Sequence, residues 1–193
     1  MRKVLIALLV AAISLSVALS LVGCGGDKNK EEAKKAMAAG DEYMDAARKQ
    51  MDQLQEKQQE MTAAVMGGDT SVLAQAVGEE AKVANAAILA ALEADFDNAE
   101  KAYTEILNME GVQDYKDYAN KMIEAIAMYR QWEQAAEKLL ESVSQMVASL
   151  PPGQALDVTK LANMPEVQEI QTSMDKAKKL VKEADSIKSE KKL

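Results

Sequence analysis

One pattern limits this chain more than any other. From residue 31 to residue 187 apolar side chains return every three or four positions over long runs, and only turn-forming residues interrupt them. The first run, 31–66, places Met37, Met44 and Met51 seven residues apart, with Ala47, Leu54, Met61 and Val65 in the same stripe. That spacing is the seam of a helix packed along its length on others. Gly40 lies inside it, where glycine costs about 1 kcal/mol, so a bend or a late start is expected there. Gly67-Gly68-Asp69-Thr70 supplies a turn and a cap. The second run then carries Leu73, Val77, Val83, Ala84, Ala87, Ile88, Ala91, Leu92, Phe96, Ala99, Tyr103 and Ile106. Its polar stretch Asp95-Phe96-Asp97-Asn98, with Asp97 and Glu100 at capping-box spacing, leaves one helix or two open.

Gly111-Val112-Gln113 marks the next turn, with Asp114 as the expected cap. The third run follows with Tyr118, Met122, Ala125, Tyr129, Trp132, Ala136, Leu139, Val143, Met146 and Leu150. Pro151-Pro152-Gly153 ends it. A short helical turn is expected over 157–162. Asn163-Met164-Pro165 opens the last run, Val167, Ile170, Met174, Ala177, Val181, Ala184 and Ile187. Lys188, Lys191 and Lys192 suit the negative end of that helix dipole, with the last residues frayed. No alternating run suggests a strand after Cys24. Helices of about 35 to 40 residues are roughly 50 to 60 Å long, and short loops make neighbours antiparallel. The expected fold is therefore all-α, an up-and-down antiparallel bundle of about four long helices. The core must be built from Ala and Met, because the chain has one Trp and one Phe.

The first 23 residues follow a different logic. Arg2-Lys3 precedes an apolar run, Val4 to Leu21, broken only by Ser14, Ser16 and Ser20, which is the layout of a secretory signal. Leu21-Val22-Gly23-Cys24 resembles the lipobox of bacterial lipoproteins. The resemblance implies removal of 1–23 by cleavage between Gly23 and Cys24, and a diacylglyceryl group on the Cys24 thiol. It also implies a further acyl chain, such as palmitate, on the new amino group. One chain binds a membrane marginally, while two or three hold it permanently. Residues 24–30, glycine and charge, are expected to be a short lipidated tether, and 31–193 the helical bundle domain. Gly25 is not the Asp that resembles an inner-membrane retention signal. The expected location is thus extracytoplasmic, on the cell membrane, or on the outer membrane where one exists.

Loss of 1–23 removes Arg2 and Lys3 from the 23 basic residues and none of the 31 acidic ones, leaving a net charge of −10. An acidic surface disfavours nucleic acid as a partner and gives no polybasic grip on anionic lipid. A second architecture is suggested by Ala94 to Tyr103, which resembles the second helix of a tetratricopeptide repeat. Gln131 to Ala136 repeats its aromatic-x-x-Ala step 36 residues later, so degenerate helical hairpins over 83–150 are the alternative fold.

Catalytic chemistry has little to work with. The chain has no histidine and one cysteine, which removes Ser-His-Asp and Cys-His nucleophiles, the common zinc sites and the Glu-x-x-His ligands of di-iron bundles. Glu93, Asp95, Asp97 and Glu100 are dense, but they lack the glycine and the following glutamate of a calcium loop and are expected to be a solvated face or a cap. No metal, no cofactor beyond the covalent lipid on Cys24 and no enzymatic activity is expected. Phe96, Tyr103, Tyr118, Tyr129 and Trp132 crowd into 96–132, around the second turn, and form the expected partner or ligand patch. Two functions follow. One is a lipid-anchored bundle presenting an acidic helical surface to an envelope protein. The other is a sensor or carrier bundle holding a small molecule near Tyr118, Tyr129 and Trp132.

Overall fold

A computed structural model describes residues 25–66, 78–149, 160 and 163–193. The signal segment, Gly23 and Cys24, the turn at 67–70, Leu73 and Val77, Pro151-Pro152-Gly153 and all but one residue of 157–162 lie outside them. Four helices make up the described chain: α1 Gly25–Met66, α2 Glu79–Leu107, α3 Gln113–Ser149 and α4 Pro165–Lys191. The described residues contain no strand.

Cross-helix pairs fix the directions. Asp41, Gln50 and Lys57 of α1 reach Tyr103, Asp95 and Asn85 of α2, so number rises on one helix as it falls on the other. Arg130 of α3 meets Glu93 and Glu100 of α2 while Tyr103 meets Tyr118. Lys191 and Glu183 of α4 meet Asp114 and Lys121 of α3. Every neighbour is antiparallel, and the expected up-and-down bundle is the fold observed. Packing is heaviest within the hairpins α1–α2 and α3–α4, and lighter between α2 and α3. The two stretches that resemble a tetratricopeptide repeat lie on α2 and α3, antiparallel neighbours.

Several boundaries differ from expectation. Helix α1 starts at Gly25, so 25–30 is helical where a linker was expected, and Asn29 donates a hydrogen bond to the Glu110 carbonyl at 3.0 Å. Gly40 neither interrupts nor delays α1. Its reason is tertiary: a Cβ there would sit 2.5 Å from Cε1 of the Tyr103 ring. Helix α2 runs unbroken through Asp95 to Asn98, which settles it as one helix. Helix α3 starts one residue before Asp114, whose carboxylate pairs with Lys191. Gly111, at φ +75°, makes the turn that glycine permits. The C-terminus is ordered: Lys192 adopts a left-handed conformation and the Leu193 N–H donates to the Lys188 carbonyl, closing the helix end.

The core is not spread evenly along this length. On α1 it is Ala33, Met37, Met44, Ala47 and Met51; on α2, Leu92, Phe96, Ala99, Tyr103 and Ile106. On α3 it runs from Tyr118 to Trp132, and on α4 it is Ala177 and Ala184. All of these lie toward one end, the end that holds Gly25 and the α2–α3 turn.

Candidate functional site

The five aromatic residues do come together, but inside the bundle. Phe96 and Tyr103 are fully buried and Tyr118, Tyr129 and Trp132 nearly so. Phe96 stacks on Tyr129 with ring centroids 5.8 Å apart, and Tyr103 meets Tyr118 edge-on at 6.0 Å. Such pairs add about 0.5 to 1.5 kcal/mol each beyond area burial. The rings therefore act as core, filling the space between four helices that Ala and Met leave. The residues of the expected partner or ligand patch thus lie in the interior, with all five rings buried. A groove of about 230 Å³ lies elsewhere, between α3 and α4, lined by Gln131, Gln168, Glu169, Thr172, Ser173 and Lys176. None of the aromatics reaches it.

Polar groups missed in the sequence are what the aromatics frame. Asp41 on α1 accepts hydrogen bonds from the Tyr103 hydroxyl of α2 at 2.8 Å and the Tyr118 hydroxyl of α3 at 2.6 Å, both on Oδ1. Its Oδ2 accepts from Lys188 Nζ of α4 at 2.6 Å. One side chain from each helix thus meets at one carboxylate. The ammonium of Lys188 also lies 5.7 Å from the centre of the Tyr118 ring, a cation–π distance. Burial first, and then the neighbouring carboxylate, push both phenols far above their ordinary range, so each stays an O–H donor. Asp41 is only 23% exposed, and charge-assisted bonds at such a site are stronger than at the surface. The helical spacing of Gly40 and Asp41 explains the geometry: the missing Cβ at 40 admits the Tyr103 ring, whose hydroxyl then reaches the next residue. No pattern within one helix could reveal a cluster assembled from residues 41, 103, 118 and 188.

A second polar cluster lies along the α2–α3 contact. Arg130 on α3 ion-pairs with Glu93 at 3.1 Å, Asp97 at 2.6 Å and Glu100 at 2.5 Å, residues that steps of four and three place on one edge of α2. Partial burial opposes the Arg130 charge, but the Glu100 hydrogen bond and the fields of Glu93, Glu100 and Asp97 outweigh it and raise the guanidinium further. Asp95, two positions off that edge, turns to α1 and accepts from Gln50 Nε2 at 3.0 Å. Burial raises its carboxyl more than that bond lowers it. The acidic cluster expected to be a solvated face or a helix cap does keep Asp97 67% exposed, and it also makes inter-helix contacts on two sides. Among the described residues no group of acidic or sulfur side chains is arranged to hold a metal ion. No helix of the described chain is long and apolar enough to cross a membrane. No family model matches the chain, and neither characterised proteins nor solved structures supply a match.

Proposed function

We propose that this protein is a lipid-anchored, extracytoplasmic helical protein without enzymatic activity, which presents an acidic helical surface to protein partners at the cell envelope. The observation that carries the reading is Leu21-Val22-Gly23-Cys24 at the end of an apolar run behind Arg2-Lys3. In this reading cleavage leaves Cys24 as the first residue, acylated on its thiol and amino group, and the net charge of the remainder is −10. The fold suits that role. Because α1 begins at Gly25, the helix starts one residue from the lipid, and 42 residues carry it about 63 Å outward. The well-packed end then sits against the membrane, and the less buried end of α1, α2 and α3 faces away from it. The lipid supplies placement, confining the acidic bundle to one surface and raising its effective concentration there.

Two measurements test this reading together. Mass spectrometry of the membrane-extracted protein is expected to find a Cys24 N-terminus carrying two or three acyl chains, and Cys24→Ser to release the protein from the membrane. Crosslinking in intact cells is expected to join it to one dominant envelope protein through acidic faces. An intact residue 1–23 on the mature protein, or crosslinks to itself alone, would refute the reading.

A further inference from the structure

The side of the bundle between α1 and α4 is open. Packing joins α1 to α2, α2 to α3 and α3 to α4, but α1 and α4 hardly touch. The ion pair of Asp41 with Lys188, at 2.6 Å, joins them at one level. Farther from Gly25 each helix turns an edge of one sign outward. On α1, helical spacing puts Asp45 and Asp52 on the side of Asp41, with Glu56 beside them, whereas Gln50 and Lys57 turn to α2. On α4, Lys191 and Glu183 turn to α3. Lys178 and Lys182, one turn apart, lie on the opposite side, next to half-buried Met174 and Val181. Asp52, Glu56, Lys178 and Lys182 are exposed, and none of them has an ion-pair partner among the described residues. From 41 to 60 α1 carries six acidic residues against three basic ones, and from 171 to 182 α4 carries four lysines against one aspartate.

The heights of the two edges match. Because α1 and α4 run antiparallel, Asp52, eleven residues after Asp41, and Lys178, ten residues before Lys188, stand about 16 Å and about 15 Å beyond the Asp41–Lys188 level in the same direction. A two-fold axis laid along the helices sets α1 of one copy against α4 of the other at unchanged height, twice over. An axis laid across them would set α1 on α1 and α4 on α4, like charge against like. We propose that this protein forms a parallel homodimer through its α1–α4 side, with Asp52 of each copy meeting Lys178 of the other. Lys182 then reaches the other copy at a height between Asp45 and Asp52, and the contact covers Met174 and Val181. A parallel axis leaves both Gly25 ends on one side, so two lipid-anchored copies can pair in one membrane, where confinement raises their effective concentration. The face itself stands on the charge and height of the two edges and does not require the lipid.

The test uses the full chain in vesicles of phosphatidylethanolamine and phosphatidylglycerol. Chains carrying Asp52→Cys are mixed with chains carrying Lys178→Cys and oxidised. The mixture is expected to give at least about fivefold more mixed disulfide dimer than Glu105→Cys with Lys178→Cys, because Glu105 is exposed on α2, away from the open side. It should also exceed the dimer that Asp52→Cys forms with itself, which an axis across the helices would favour. In chains without added cysteine, Lys178→Glu and Asp52→Lys should each lower the dimer fraction, read by energy transfer between labelled copies, about tenfold at about 0.05 M salt. The chain carrying both reversals should regain it. Cys24→Ser, without lipid, should form the same dimer only at about a hundredfold higher protein concentration, so the anchor and the face fail separately. Equal disulfide yields from the three cysteine combinations overturn the proposal, and so does a double reversal that stays monomeric.

Discussion

Around Asp41 every turn of α1, α2 and α3 delivers a buried side chain, whereas from Asp52 to Met66 of α1 and from Gly78 to Ala91 of α2 no described side chain is buried. On α3 the series that begins at Tyr118 runs to Ala135, after which Val143 is the one buried residue described; on α4 it begins only at Ser173. Both halves have apolar residues at helical spacing. They differ in volume. The packed half sets Phe96, Tyr103, Tyr118, Tyr129 and Trp132 across the middle of the bundle. The other half offers Ala81, Ala84, Ala86, Ala87, Ala90 and Ala91 on α2, and leaves Val83 69% exposed. Helix axes stand about 8 to 10 Å apart, and small side chains let two helices approach but cannot fill the centre of four. Hairpins survive on alanine, while a four-helix core requires large residues.

The sharpest way to break this comparison is to delete volume from each half. Phe96→Ala should cost about 4 kcal/mol in urea unfolding, the usual penalty for an aromatic core cavity, and Val83→Ala less than about 0.5 kcal/mol. Equal losses would erase the difference between the halves. Removing the polar tie comes next. Asp41→Ala leaves two buried phenols and Lys188 without their acceptor and should cost about 3 kcal/mol, against less than about 0.5 kcal/mol for Asp52→Ala on the exposed face of the other half. Gly40→Ala should follow at about 2 kcal/mol: the gain in helix propensity is smaller than the cost of a Cβ driven into the Tyr103 ring.

The smallest effect belongs to Glu133 on α3, and its sign is set by its raised carboxyl. In the folded chain that group binds its proton up to about 7, but in the unfolded chain only to 4.5. Its contribution to stability is complete below about pH 4.5 and disappears as pH rises through 7. Glu133→Gln should therefore stabilise the protein by about 1 kcal/mol at pH 8, after allowance for its partial exposure, and by nothing near pH 4. Denaturant midpoints of the two proteins at both pH values check this.

The helices themselves were legible because a period of three and four residues is a local property. Met37, Met44, Met51, Tyr118 and Ala177 all lie where the stripe predicts, and Pro165 opens α4 as expected. The boundaries that differed were decided by contacts distant in sequence. Gly40 looks like a helix breaker until Tyr103 is seen beside it, and Asp97 with Glu100 looks like a capping pair until Arg130 arrives from α3. The aromatic concentration pointed to the right region, but a count of rings does not say whether they face solvent or one another. Lys188 and Lys191 suited a helix dipole, yet each pairs with a carboxylate on another helix, Asp41 and Asp114. The one-sidedness of the core was also present in the sequence, in the confinement of every tryptophan and phenylalanine to 96–132, and it acquires meaning only when the antiparallel order places those residues at one end.

Native-state hydrogen exchange on the full chain tests the central claim, that one half of the bundle holds the other. The amides of 33–51, 92–106 and 118–135 should exchange only through global unfolding, while those of 54–66, 79–90 and 139–149 exchange through local opening at least about a hundredfold faster. Uniform protection along α1 and α2 would contradict it, because the alanine-rich half would then be as firmly packed as the aromatic one.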